Sequence, residues 1–119
     1  MKDRSSVKIG GQYYEMRFSI SAYEEIMDRL PAGSDVKAII DHMKTPTGTC
    51  EVSETLIRAA EGEAPTAAEL KNLCLVIDLA ALRTAAIEAI SIGMGIETSA
   101  EEDVDEDLLE VEKKTNAAG

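Results

Sequence analysis

Few side chains in this sequence have the types and spacing that catalysis or metal binding requires. The sequence contains one histidine, His42, and two cysteines, Cys50 and Cys74. A zinc site needs several Cys or His ligands at close spacing, and a histidine-based triad needs a nucleophile held beside its base. We therefore interpret His42 as a helix-terminal or solvent-facing residue. We interpret Cys50 as a loop thiol and Cys74 as a small core residue, without a disulfide.

The glycines and carboxylates do not form a catalytic or cofactor-binding pattern either. Gly10-Gly11 precedes a predicted strand and lacks GxGxxG spacing, and Gly93-Met94-Gly95 follows a predicted helix instead of opening one. The acidic run from Glu101 to Asp107 does not match a calcium-binding loop. Paired acid–base catalysis would need a pocket that separates two carboxyl pKa values, and an exposed run offers none. The sequence thus predicts a non-enzymatic protein with no cofactor and no metal.

The distribution of charge predicts which partners are disfavoured. The formal net charge is −11; residues 1–96 hold 10 basic and 14 acidic side chains, whereas residues 97–119 hold 2 basic and 9 acidic ones. Such a surface repels nucleic acid and anionic lipid, because phosphate binding needs clustered Lys and Arg. No apolar stretch approaches the roughly 20 residues of a membrane span, and the start resembles no secretory signal. We expect a cytoplasmic protein without nucleic-acid or membrane partners.

A hairpin is the first element that the order of apolar and polar residues predicts. Residues 7–9 and 13–18 alternate apolar and polar side chains on either side of Gly10-Gly11. Alternation predicts strands, and a two-residue turn with positive φ favours glycine. The implied register places Val7 opposite Tyr14, with one apolar face and one polar face.

From residue 21 the apolar period changes from two to about 3.6, which predicts helices. Ser21 with Glu24 and Thr66 with Glu69 fit capping boxes, and Ser34 is a further predicted N-cap. Residues 45–49 are predicted to form a loop and residues 51–61 a helix that ends at Gly62. The predicted buried side of the helix after Thr66, and the packing residues of the Ala-rich helix that ends near Gly93, are Leu70, Leu73, Cys74, Ile77, Leu82, Ala86, Ile87 and Ile90. Asp78 either caps a new helix or lies on the exposed side of a continuous one.

The expected fold is therefore α+β, an N-terminal antiparallel β-hairpin followed by four or five short helices, in a single domain over residues 1–96. Residues 97–119 are predicted to form an acidic, disordered tail, because self-repulsion and few apolar residues cannot offset the entropy of ordering. Two regions are candidate partner-binding sites. One is the polar hairpin face with Tyr13, Glu15 and Arg17, whose outer edge either accepts a strand or is solvated. The other is the apolar island in the tail that contains Leu108 and Leu109.

The stretch Val7-Lys8-Ile9-Gly10-Gly11-Gln12-Tyr13-Tyr14-Glu15-Met16-Arg17-Phe18, followed by Ala22-Tyr23-Glu24-Glu25-Ile26, resembles the opening of tail assembly chaperones of long-tailed phages and prophages. The order that follows is also similar, with Leu56-Ile57-Arg58-Ala59-Ala60, a Pro65-Thr66 helix start and an Ala-rich helix ending near Gly93. The similarity covers roughly residues 7–95. Met27-Asp28-Arg29 departs from the family pattern, in which more glutamate and a threonine-glycine end are frequent.

The resemblance implies a non-catalytic protein of the host bacterial cytoplasm that binds the tape-measure protein and tail tube subunits during tail assembly. It transfers no catalytic residues, and it leaves the oligomeric state open, with a homo-oligomer as one outcome. Two other classes remain open on the residues alone, a structural virion protein of the head–tail connector type and an acidic inhibitor that mimics DNA. The mimic fits the net charge, but much of that charge lies in the tail.

Family members are often made in two lengths by ribosomal frameshifting. Glu112-Lys113-Lys114 can be encoded by GAA-AAA-AAA, a run of adenines on which ribosomes slip. We therefore hypothesise a frameshift at this place. The coding sequence tests it, since a Lys113 codon ending in G would contradict the hypothesis.

Overall fold

An antiparallel hairpin opens the fold and confirms the predicted register. In the structure, a computed structural model that describes residues 2–96, the strands are β1 (Ser5–Ile9) and β2 (Gln12–Met16). Val7 pairs with Tyr14, and the turn residues Gly10 and Gly11 have φ values of 57° and 84°. The predicted acidic tail, its residues Leu108 and Leu109, and the frameshift codons lie outside the described residues.

In the described part of the chain, five helices follow the hairpin, and the predicted α+β class is confirmed. In chain order they are α1 (Ile20–Met27), α2 (Val36–His42), α3 (Pro46–Glu61), α4 (Ala67–Leu73) and α5 (Asp78–Gly93). Within residues 2–96, no helix combines the length and the apolar character that crossing a bilayer demands.

The hydrophobic core lies where α3 and α5 meet the apolar face of the hairpin. β2 packs on α3, and β1 packs on α5. Small side chains on one side of α5 allow this close approach, since burial of a large residue there would push the strand away. The core is completed by aliphatic residues from the helices and by one methionine in β2 and one directly after α2. Its fully buried apolar side chains are Met16, Ile39, Met43, Leu56, Ile57, Leu70, Leu82, Ala86 and Ala89.

Two predicted N-caps are wrong by one or two residues. Helix α1 is capped by Ser19, whose hydroxyl accepts a hydrogen bond of 3.2 Å from the N–H of Ala22, and Ser21 lies within the first turn. Helix α2 is capped by Asp35 and not by Ser34. The carboxylate of Asp35 accepts from the N–H of Ala38 at 3.2 Å, and the hydroxyl of Ser34 donates to the carbonyl of Pro31 at 2.6 Å.

The predicted loop at residues 45–49 is wrong, because α3 begins at Pro46. Thr45 is the N-cap, and its hydroxyl accepts from the N–H of Gly48 at 3.0 Å. Proline is favoured at the first helical position, where its missing N–H has no intrahelical partner. Gly48 permits a close approach to α2, since a Cβ there would lie 1.8 Å from the carbonyl oxygen of His42. The predicted end of this helix at Gly62 is confirmed by its φ of 87°.

The region between α4 and α5 confirms one prediction and corrects others. The capping box of Thr66 and Glu69 is present. Asp78 is the first residue of a separate helix, because α4 ends at Leu73 and Cys74 is extended, with ψ of 141°. The buried side predicted for the helix after Thr66 therefore does not extend to Leu73 or Ile77. Leu70 is buried, but Leu73 and Ile77 are exposed.

Two further predictions concern single side chains. The two cysteines exchange their predicted environments, with Cys50 buried in α3 and Cys74 partly buried. In α5, Leu82, Ala86 and Ile90 are buried as predicted, whereas Ile87 is 37% exposed.

Candidate functional site

The polar hairpin face is largely engaged by the chain's own N-terminal segment. The carboxylate of Glu15 accepts from the guanidinium of Arg4 at 2.9 Å, and Arg17 lies 3.3 Å from a carboxylate oxygen of Asp3. The hydrogen bond from Arg4 holds the pKa of Asp3 below its usual value. Tyr13 is exposed, with the ammonium of Lys8 5.6 Å from its ring centroid. The partner-binding role of Tyr13, Glu15 and Arg17 stays a prediction.

Two backbone N–H groups at the C-terminal end of β2 and just beyond it are paired with α3. The N–H of Glu15 donates to the carboxylate of Glu61 at 2.7 Å, and the N–H of Arg17 donates to the carbonyl of Leu56 at 3.0 Å. Strand addition requires such N–H groups to be free. A strand could therefore add at these two positions only by displacing bonds that the fold already makes, and the two alternatives for this edge stay predictions.

The single histidine contacts a carboxylate of the next helix. His42 is the last residue of α2, as the helix-terminal interpretation predicts, and its Nε2 lies 2.8 Å from a carboxylate oxygen of Glu51. In the part of the chain that the structure describes, no three His, Cys, Asp or Glu side chains converge as metal ligands would. Burial raises the pKa of both the Cys50 and Cys74 thiols, which keeps them protonated at neutral pH.

The most unusual surface of the structure is the connection between α4 and α5, which we call the apolar turn (residues 73–77). Its side chains of Leu75, Val76 and Ile77 are 71%, 84% and 81% exposed. Single exposed apolar residues are ordinary, but a contiguous exposed run is typical of a surface that contacts another molecule. The apolar turn is therefore the strongest candidate for an interaction site among residues 2–96.

Backbone hydrogen bonds hold the apolar turn in one shape. The carboxylate of Asp78 accepts from the N–H of Leu75 at 2.8 Å, and the N–H of Asp78 donates to the carbonyl of Leu75 at 2.8 Å. The N–H of Leu79 donates to the carbonyl of Val76 at 3.1 Å. The connection before α5 thus presents these apolar side chains on an ordered backbone, which lowers the entropy lost on binding.

A groove adjoins the apolar turn at Leu73, which belongs to both surfaces. This groove, which we call the acidic groove, has a volume of about 650 Å³ and lies between the hairpin, the α3–α4 loop and α4. Its walls combine apolar side chains with carboxylates, including Tyr14, Pro65, Leu73, Glu61, Glu63 and Glu69. The arrangement provides apolar contact area beside negative charge.

Two of the three carboxylates of the acidic groove, Glu61 and Glu69, also accept hydrogen bonds from backbone N–H groups. Glu69 accepts from the N–H of Thr66 at 2.8 Å in the capping box, and Glu61 accepts from the N–H of Glu15. No Lys or Arg lines the groove, and within residues 2–96 none forms an ion pair with Glu61, Glu63 or Glu69. The groove therefore keeps its negative potential.

A second, smaller apolar surface lies at the other end of α5. Ile20 is 80% exposed and borders a cavity of about 280 Å³ with Tyr23 and Met94. Gly93 allows α5 to end against Phe18, because a Cβ there would lie 2.4 Å from the Phe18 carbonyl oxygen. No carboxylate lines this cavity, so the two ends of α5 differ in charge.

The sequence pattern placed Leu73, Cys74 and Ile77 of the apolar run 73–77 on the buried side of a helix. The signal that could have revealed the exposure is the run itself, since five consecutive apolar residues exceed what one side of a helix can bury. Asp78, a residue favoured at helix starts, follows the run directly. Neither Tyr13 nor Arg17 contributes to the apolar turn or to the acidic groove.

Comparisons with protein-family models, with curated proteins and with solved structures find no match to this chain.

Proposed function

We propose that this chain is a non-enzymatic tail assembly chaperone of a long-tailed phage or prophage, which acts in the host bacterial cytoplasm. Its partners are the tape-measure protein and the tail tube subunits. The observation that carries the proposal is the apolar turn, where Leu75, Val76 and Ile77 project from an ordered backbone into solvent. A chaperone for long helical proteins needs such a surface, because it must cover apolar stripes that would otherwise aggregate.

Charge is the second support for the proposal. The whole chain has a net charge of −11, which favours dispersal of the chaperone and of its complexes. The resemblance of residues 7–95 to tail assembly chaperones is the reason for choosing this class among protein-binding functions.

Co-expression tests the proposal directly. The tape-measure protein of the same phage genome is expressed alone, with this chain, or with an unrelated acidic protein of similar size as the control. We expect the tape-measure protein to stay in the supernatant, and to elute with this chain in gel filtration, only in the second case. A tape-measure protein that is equally insoluble in all three would contradict the proposal.

The composition of purified virions separates the proposal from the structural virion protein. An assembly chaperone leaves before the particle is complete, so we expect quantitative mass spectrometry of purified virions to find tube subunits without this chain. Stoichiometric presence of the chain in virions would favour the connector instead.

A further inference from the structure

We propose that the apolar turn and the acidic groove form one docking surface for a segment of another protein in which apolar side chains are flanked by Lys or Arg. This inference rests on the proposed function only in taking the partner to be a protein with exposed apolar side chains. It adds the place on this chain where that partner binds and the charge that it must carry.

Contiguity is the first reason to treat the two surfaces as one. Leu73 lines the acidic groove and is also the first residue of the apolar turn. An apolar segment that covers Val76 and Ile77 and continues past Leu73 enters the groove beside Pro65 and Tyr14. Burial of such side chains supplies most of the free energy of binding in protein interfaces.

Charge determines the chemistry of the occupant. Glu61, Glu63 and Glu69 line the groove, and none of the residues that line it in the described part of the chain is Lys or Arg. A partner that brings Lys or Arg to this groove gains attraction, whereas a partner that brings carboxylates is repelled. Complementary charge also directs the encounter, which makes binding dependent on ionic strength.

The same charge argument disfavours two other occupants of the surface, which are residues 97–119 of this chain and a second copy of the chain. Residues 97–119 of this chain carry 9 acidic and 2 basic side chains, so they have the sign of the groove. A second copy bound through the same surface would bring two acidic grooves together, because a two-fold interface pairs identical patches. A cationic segment of another protein is therefore the occupant that the surface fits.

A peptide experiment with the full chain tests the assignment. The probe is a fluorescently labelled amphipathic peptide of Leu and Lys, and the matched control peptide has Glu in place of every Lys. We expect fluorescence anisotropy to show binding of the Lys peptide, weakening at high salt, and no binding of the Glu peptide. Equal binding of both peptides would overturn the assignment.

Paired variants show whether binding occurs at this surface. V76S/I77S removes apolar area and should weaken binding at least about tenfold, whereas I20S/I96S removes similar area at the other end of α5 and should change binding little. E63Q/E69Q removes two charges and should weaken binding about threefold per carboxylate, whereas E24Q/D28N removes two charges outside the groove. If both control pairs weaken binding as strongly as the surface pairs do, the attraction is non-specific and the assignment is contradicted.

Two further measurements separate this inference from its alternatives. Full-length L108S/L109S should bind the Lys peptide with unchanged affinity, and an increased affinity would show that this chain's own apolar island occupies the surface. In the co-expression assay, V76S/I77S should fail to keep the tape-measure protein soluble. If that variant succeeds as well as the native chain, the docking surface is elsewhere, although the proposed function stands. If the native chain itself fails while the Lys peptide binds as expected, the proposed function is contradicted and the docking surface stands.

Discussion

The hydroxyl of Ser5 donates a hydrogen bond of 2.6 Å to the backbone carbonyl of Ala85, which lies 80 residues further along the chain. Both residues are buried, and the bond joins β1 to α5. The first strand and the last helix are thus connected by a polar contact inside the core, where a hydrogen bond is shielded from water.

Replacing Ser5 with Ala should lower the free energy of unfolding by about 1 kcal/mol, because the buried hydrogen bond is lost without a large change in volume. Urea denaturation followed by circular dichroism measures this change. S6A, at the exposed neighbouring position, is the matched control and should have little effect. A loss of stability in S6A as large as in S5A would contradict the special role of Ser5.

Replacing Gly48 with Ala should destabilise the fold by about 1–3 kcal/mol, because the added methyl group would collide with the backbone of His42 and force α2 and α3 apart. On a helix without a close neighbour the same change would stabilise the fold by about 1 kcal/mol. The sign of the change in stability therefore shows whether α2 and α3 approach closely at Gly48. Thermal denaturation measures it, with T47A in the same helical turn as the control. An increased Tm for G48A would contradict the close approach.

Replacing Asp78 with Ala should loosen the apolar turn, because the N–H of Leu75 loses its acceptor. We expect a loss of about 1 kcal/mol in stability and faster cleavage between residues 75 and 77 by chymotrypsin-like proteases. D78N keeps an acceptor oxygen and should lie between the native chain and D78A. Cleavage rates that are the same in D78A and the native chain would show that the carboxylate does not order the turn.

Replacing Thr66 with Ala should cost about 1 kcal/mol, because the N–H of Glu69 loses the hydroxyl that caps α4. The same measurement on E69Q is the control, since the glutamine oxygen still accepts from the N–H of Thr66. E69Q should therefore retain most of the native stability. A strong destabilisation by E69Q would show that the charge itself stabilises α4.

The buried thiol of Cys50 should make the stability of the fold depend on pH. Burial raises the pKa of Cys50, so the folded chain holds that proton more tightly than the unfolded chain does. The resulting stabilisation is fully present below the ordinary thiol pKa of 9.0 and is lost as the pH rises through the folded-state value. We expect stability to decrease in that alkaline range, and C50S to decrease less.

Thiol labelling with an aromatic disulfide reagent measures the difference in rate. Cys50 is 2% exposed and should react slowly at neutral pH, whereas Cys74 is a partly buried residue of the apolar turn and should react faster. The single-thiol variants C50S and C74S assign the two rates. Binding of the Lys peptide should protect Cys74, and equal rates for both thiols would contradict the assigned burial.

Local signals predicted much of this fold. The Gly10-Gly11 turn and the alternation of apolar and polar residues in the strands indicate the same register, so the hairpin register follows from the sequence. Thr66 with Glu69 is a cap whose partners lie within one helical turn, and it is present as predicted. The start of α3 was predictable in principle, because Thr45 and Pro46 form an N-cap and first-position pair.

The candidate site was not predictable in the same way. The sequence shows that residues 73–77 are apolar, but exposure depends on where α4 ends and on which side of the bundle the turn lies. Those facts result from packing of α3 against α4 and α5, which involves residues distant in the chain. The hydrogen bonds that cover the edge of β2 likewise come from α3.

The sequence by itself determined the elements whose causes are local: the hairpin, its register, the capping box at Thr66, and the acidic balance of the chain. Tertiary structure alone decided which apolar residues are buried and which carboxylates meet in one groove. The physical reason is the distance along the chain over which each interaction acts. Turn geometry and capping act over a few residues, whereas burial and electrostatic potential depend on every element that surrounds a side chain.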